Sequence, residues 1–169
     1  SMLRVADAHT HIYPDKIAEK ATAAVGAFYD IPMSRIGMSE ALLAAGQKNG
    51  TDRYLVCSVA TKPEQVASIN AYIAGECAKH PAFVGLGALH HQLQDPLASI
   101  EHACELGLRG FKVHPDFQKF NIDDPALLPV YRILAARKLP ILFHMGDNRY
   151  DYSAPIRLAR VLDRVPDLR

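Results

Sequence analysis

Residues 7–11 read Asp-Ala-His-Thr-His and close an apolar run that begins at Leu3. Side chains on a strand alternate between faces, so His9 and His11 share one face, roughly 7 Å apart along the backbone, with Asp7 two residues earlier. Two imidazoles at that separation can converge on one metal ion; the plainer reading is a pair of hydrogen-bonded surface histidines. His144 follows the apolar run Leu-Pro-Ile-Leu-Phe (139–143) and precedes Met-Gly-Asp, again at a strand end, where an imidazole is expected to be paired or ligating. The three histidines converge only if the sheet that carries them curls.

A second pair lies in the run 107–115, where Lys112 and His114 are two apart and therefore on a shared face. A lysine lining a curled sheet needs a partner or a lowered pKa. That suits charge stabilisation, binding of a substrate carboxylate or, once carbamylated, the bridging of two metals. Snorkelling of Lys112 to the rim is the competing reading. Asp116, Asp147, Asn148 and Arg149 fall on loops at the same rim, and the planar fork of Arg149 suits a substrate carboxylate. His90 and His91 end a further apolar run; as neighbours on a strand they would face opposite sides, so at most one looks into a site. His80 and His102 fall in helical patterns and read as solvated or hydrogen-bonded.

The elements that must position these residues are legible as alternation. Five apolar runs, 3–12, 53–61, 83–91, 107–115 and 139–147, have strand length and little polar interruption, the pattern of a sheet covered on both faces. Between them, Val66, Ile69, Ile73 and Cys77 mark one helical face, and Leu127, Val130, Tyr131 and Leu134 another. Asp95-Pro96 and Asp124-Pro125 each place a capping carboxylate before a first-turn proline, and Gly50 and Gly107 suit left-handed helix ends. Parallel βαβ units in one domain over residues 1–169 follow. Longer insertions at 12–52, 116–124 and 148–155 all start at the C-terminal end of a strand, where α/β folds bind ligands.

Composition narrows the function. With 19 basic and 18 acidic residues and no basic run, nucleic acid is a poor partner. No apolar stretch reaches membrane-span length, and three widely spaced cysteines (Cys57, Cys77, Cys104) read as reduced thiols of a cytoplasmic protein. Gly-Leu-Gly-Ala-Leu (85–89) sits within a strand pattern, so no phosphate loop is present, and no Gly-x-Ser-x-Gly elbow occurs.

Asp-Ala-His-Thr-His-Ile-Tyr-Pro, Gly-Phe-Lys-Val-His-Pro-Asp-Phe-Gln-Lys-Phe and Leu-Pro-Ile-Leu-Phe-His-Met-Gly-Asp-Asn, in this order, resemble the amidohydrolase superfamily, in its branch of amidohydrolase-related hydrolases and decarboxylases. The resemblance implies a TIM-type (β/α)8 barrel, of which this chain carries about the first five βα units and lacks the C-terminal part. It implies that His9, His11 and His144 hold a divalent metal, zinc foremost and manganese as a possible substitute, and one ion rather than two. From their places on the strand face and rim described above, Lys112 and His114 are the candidate catalytic residues, with Arg149 and Asn148 toward substrate. The activity implied is hydrolysis of an amide, ester or lactone of a small molecule, one that could carry a carboxylate, by metal-activated water. Non-oxidative decarboxylation is the alternative, as is a catalytically incomplete half-barrel that serves as an assembly module. An open sheet edge in a shortened barrel further implies association into a homo-oligomer.

Overall fold

The computed structural model describes residues 6–13 and 39–169, and for residues 6–11 the course of the backbone. The chain forms two compact units, Ser1–Ser58 with Tyr72–Gly85, and Val59–Ala71 with Leu86–Arg169. Each is built around its own parallel three-stranded sheet.

In the first unit β1 (Ala6–His11), β2 (Arg53–Cys57) and β3 (Phe83–Gly85) pair in that order. Helix α1 (Ser39–Asn49) precedes β2, and α2 (Val66–Lys79) supplies its residues from Tyr72 onward. The register between β1 and β2 slips between Asp7 and Thr10. Such an irregularity interrupts strict alternation, so the simple rule that put Asp7 on the face of His9 and His11 does not run unbroken through the strand. Ile12, Tyr54, Val56, Ile73 and Phe83 form the buried apolar set, each worth about 1.5–3 kcal/mol of transfer free energy. Gly46 is required here: a Cβ on it would overlap the Tyr54 hydroxyl, which donates to the Thr51 carbonyl at 3.2 Å.

The second unit holds β4 (Gly87–Ala88), α3 (Pro96–Glu105), β5 (Phe111–Val113), the single turn α4 (Pro115–Gln118), α5 (Leu128–Ala136), β6 (Ile141–Phe143) and α6 (Pro155–Arg164). A 3-10 turn, Pro125–Leu127, leads into α5. The sheet order is β4-β5-β6, all parallel. The capping carboxylates behave as their Asp-Pro pairs foretell: Asp95 accepts from the Ala98 amide and Asp124 from the Ala126 amide, both at 3.0 Å. Ile100, Phe111, Ile122, Leu134 and Val161 are fully or almost fully buried. Asn70 fastens the β4 backbone, accepting from the Ala88 amide at 2.7 Å.

Two expectations are corrected. The third apolar run is two short strands, β3 and β4, belonging to different sheets. The strands are also not covered on both faces throughout: β5 is buried at all three positions, but Val84 on β3 and Leu142 on β6 are 54% and 40% exposed. Among the described residues no helix is long and apolar enough to cross a membrane. Among the described residues Cys57, Cys77 and Cys104 form no disulfide.

Candidate functional site

His114, Asp116, His144, Asp147 and Arg149 all follow shortly after the C-terminal ends of β5 and β6. Val113 ends β5, and the next residue, His114, caps α4: its Nδ1 accepts the Phe117 amide at 3.1 Å. A backbone N–H can only donate, so Nδ1 carries the lone pair and Nε2 of the neutral ring carries the proton. His144, the first residue after β6, is tied to the neighbouring strand by its own amide, which donates to the Val113 carbonyl at 3.1 Å. The two imidazoles stack, with centroids 4.0 Å apart and planes 11° from parallel. His114 is buried and His144 half-buried.

Beside them lies a closed ion pair. Arg149 binds Asp147 through both carboxylate oxygens, Nε to Oδ1 at 3.0 Å and a terminal guanidinium nitrogen to Oδ2 at 2.8 Å, and the Arg149 amide also donates to Oδ1 at 3.0 Å. These bonds hold the Asp147 carboxyl down at about 2. The guanidinium also lies 5.3 Å from the Tyr150 ring centroid. The fork expected to face a substrate carboxylate is therefore engaged by Asp147, while the Arg149 side chain stays 42% exposed.

Asp116 is the contrasting carboxyl. It is 1% exposed; Oδ2 accepts the Ser153 hydroxyl at 2.7 Å, and Oδ1, also buried, has no hydrogen-bond partner. Burial is the largest influence on this group and pushes its pKa up, and the nearby Asp147 charge adds to the effect.

Gln118 holds the rim together. Its Oε1 accepts the His114 amide at 2.9 Å, and its Nε2 donates to the carbonyls of Ala60 at 2.8 Å and Leu89 at 2.9 Å. One buried carboxamide thus joins the segment after β5 to residues 58 and 29 positions away in sequence. Nothing in the sequence singled out Gln118 or Ser153. The only local signal was His-Pro, a pre-proline residue with a side-chain acceptor at a helix start.

Lys112 lies in the middle of β5, 2% exposed. Asn148 is exposed on the loop after β6. His9 and His11 belong to β1 by backbone, and their side chains lie outside the described residues. His90 and His91 do not face opposite sides. They lie in a turn beyond β4, where strand alternation does not apply, and their rings stack at 4.4 Å. His91 also stacks on Phe120 and borders an apolar cavity lined by Leu127, Tyr131 and Ile141; its buried Nδ1 has no hydrogen-bond partner.

The donor set decides which residues suit a metal. His114 presents an N–H, not a lone pair, at Nε2, so in this tautomer it is unsuited to ligation; the ring of His144 is half-buried. Among the described residues no three histidine, cysteine, aspartate or glutamate side chains converge on a metal position.

Parallel strands alternating with helices, with ionisable side chains beyond the strand ends, define an α/β fold, a class that binds its ligands at that rim. The chain belongs to the amidohydrolase family, an enzyme family whose model, described as Amidohydrolase, matches residues 6–169. Three solved structures share its fold. The IDCase of Metarhizium anisopliae, in apo form, is 21% identical with a TM-score of 0.71, the match covering 98% of this chain and 64% of that one. The 5-carboxyvanillate decarboxylase of Sphingomonas paucimobilis is 21% identical with a TM-score of 0.72, over 99% and 66%. The 5-carboxyvanillate decarboxylase of Novosphingobium aromaticivorans, complexed with manganese and 4-hydroxy-3-methoxy-5-nitrobenzoic acid, is 17% identical with a TM-score of 0.73, over 98% and 63%. The chain thus spans less than two thirds of the length of these proteins. No curated protein matches it in sequence.

Proposed function

We propose that the chain is the metal-binding portion of a metal-dependent enzyme that acts on a small carboxylic acid, and that the reaction is non-oxidative decarboxylation. It carries about the first five βα units of the barrel. The observation that carries the reading is the match to the amidohydrolase family across residues 6–169, with His144 at the end of β6 in a cluster of ionisable groups. Two of the three solved structures described above are decarboxylases of an aromatic acid, one of them with manganese bound. Hydrolysis, which the family's name favours, is the second reading.

In this proposal His9, His11 and His144 hold one divalent ion, manganese or zinc. When bound, the ion supplies a Lewis-acid charge that orients an anionic substrate. The residues of this chain do the rest. Lys112 is deeply buried on β5 and serves as a fixed positive charge toward a carboxylate. Arg149 stays partly exposed and lends its charge to the carboxylate while Asp147 fixes its plane, and Asn148 stands beside it.

The test is calorimetric titration of the manganese-loaded chain with 2,6-dihydroxybenzoate and, separately, with benzamide. The acid is expected to bind and the neutral amide not to. Binding of benzamide alone would favour the hydrolytic reading, and binding of neither would overturn the carboxylic acid assignment.

A further inference from the structure

We propose that His114 is a positioning residue for His144: a locked imidazole plate that fixes the plane of the ring assigned above to the metal. The inference rests on that assignment and adds the means by which a half-buried side chain at a strand end is held ready.

The argument is geometric. A histidine just after a three-residue strand has two side-chain torsions to settle, and ordering them costs conformational entropy. Against His144 lies a ring with little freedom of its own. His114 is 4% exposed; its Nδ1 is held by the Phe117 amide, its own amide by Gln118, and its ring meets the Phe117 ring edge-on at 5.9 Å. At 4.0 Å and 11° the His144 ring lies in stacked contact with the His114 ring. The backbones are registered as well, through the bond from the His144 amide to Val113. A ligand imidazole is oriented by the groups around it, and the stacked His114 ring is one such group.

His114 therefore has two separable jobs. Its Nδ1 caps a helical turn, and its ring face positions His144. His114→Phe keeps a ring and removes the cap; His114→Asn keeps a capping acceptor and removes the ring. In the proposal, affinity follows the ring and stability follows the cap. Zinc titration of the full chain should give His114→Phe an affinity within about 3-fold of the wild type, and His114→Asn one weaker by about 10-fold, in the range for loss of a residue that orients a ligand. Thermal unfolding should rank the two variants in the opposite order. Proton NMR of the metal-free chain gives an independent readout: His144 ring protons shifted upfield by stacking in the wild type and His114→Phe, and at ordinary positions in His114→Asn.

Unshifted His144 protons in the wild type would overturn the proposal whatever the metal result. Wild type and both variants binding zinc equally would overturn the positioning role alone. A shifted wild type that binds no zinc would overturn the metal assignment, and the metal-positioning role with it.

Discussion

Gln118→Leu should be among the most damaging single changes in the second unit that leave side-chain volume nearly constant. The substitution strips the His114 amide of its acceptor and the carbonyls of Ala60 and Leu89 of a donor each. Ala60, Leu89 and His114 are all buried, at 0%, 4% and 4% exposure. A buried backbone group left unpaired costs about 1–3 kcal/mol, so three such groups set an upper limit of about 9 kcal/mol. The real loss lies near the lower end, because a carbonyl keeps a second lone pair and the rim can admit water; about 3 kcal/mol is expected. Urea unfolding at pH 7 of the wild type, Gln118→Leu and Gln118→Glu measures it. Glutamate keeps the acceptor for His114 but turns an anionic oxygen toward two carbonyls, so its loss should equal or exceed that of leucine and grow with pH as the carboxyl ionises. A Gln118→Leu chain within about 0.5 kcal/mol of the wild type, the ordinary range for a surface change, would refute the view that this amide ties the rim.

Three further perturbations probe the same unit. Asp147 has a folded pKa held below its unfolded value, so its contribution is present above about pH 4 and is lost as pH falls toward 2. Arg149→Gln should therefore cost up to about 1 kcal/mol at pH 7, the scale of a half-exposed pair, with the difference fading at acid pH; a cost that does not change with pH would contradict this. Asp116 has the opposite sign: its folded pKa is raised, so its contribution is present below about pH 4 and is lost as pH rises through the folded value. Asp116→Asn, which keeps an acceptor for the Ser153 hydroxyl, should match or exceed wild-type stability at pH 7 and lose that advantage near pH 4; marked destabilisation at pH 7 would sink the assignment. Gly87→Ala would set a Cβ 2.8 Å from the fully buried Phe111 ring, and calorimetry should show a loss of about 1–3 kcal/mol, the cost of overpacking.

What could be read from sequence was local. Asp95 and Asp124 announce their helices because cap, proline and apolar stripe lie within a few residues, and both make the foreseen bonds. Gly50 and Gly107 take positive φ values of 73° and 93°, as left-handed helix ends require. Apolar runs located the strands but overstated their length, since apolar residues at strand ends continue into buried turns such as Leu89 and Pro115. The His90 and His91 reading failed for the same reason: alternation was carried past the end of β4 into a turn. Gln118 was illegible because its partners lie 58 and 29 residues away, and a glutamine has no preferred pattern that betrays them. The stack of His114 on His144 needed the pairing of β5 with β6, which no single run of sequence contains.

The central claim is that His9, His11 and His144 make this chain a metal protein. Its most direct test is the metal content of the chain after equilibration with excess zinc or manganese and removal of free ion, measured by plasma mass spectrometry beside His9→Ala and His144→Ala. The account predicts about one ion per wild-type chain and loss of it in both variants, each still folded by circular dichroism. No bound ion in the wild type, or full retention in the variants, would contradict it.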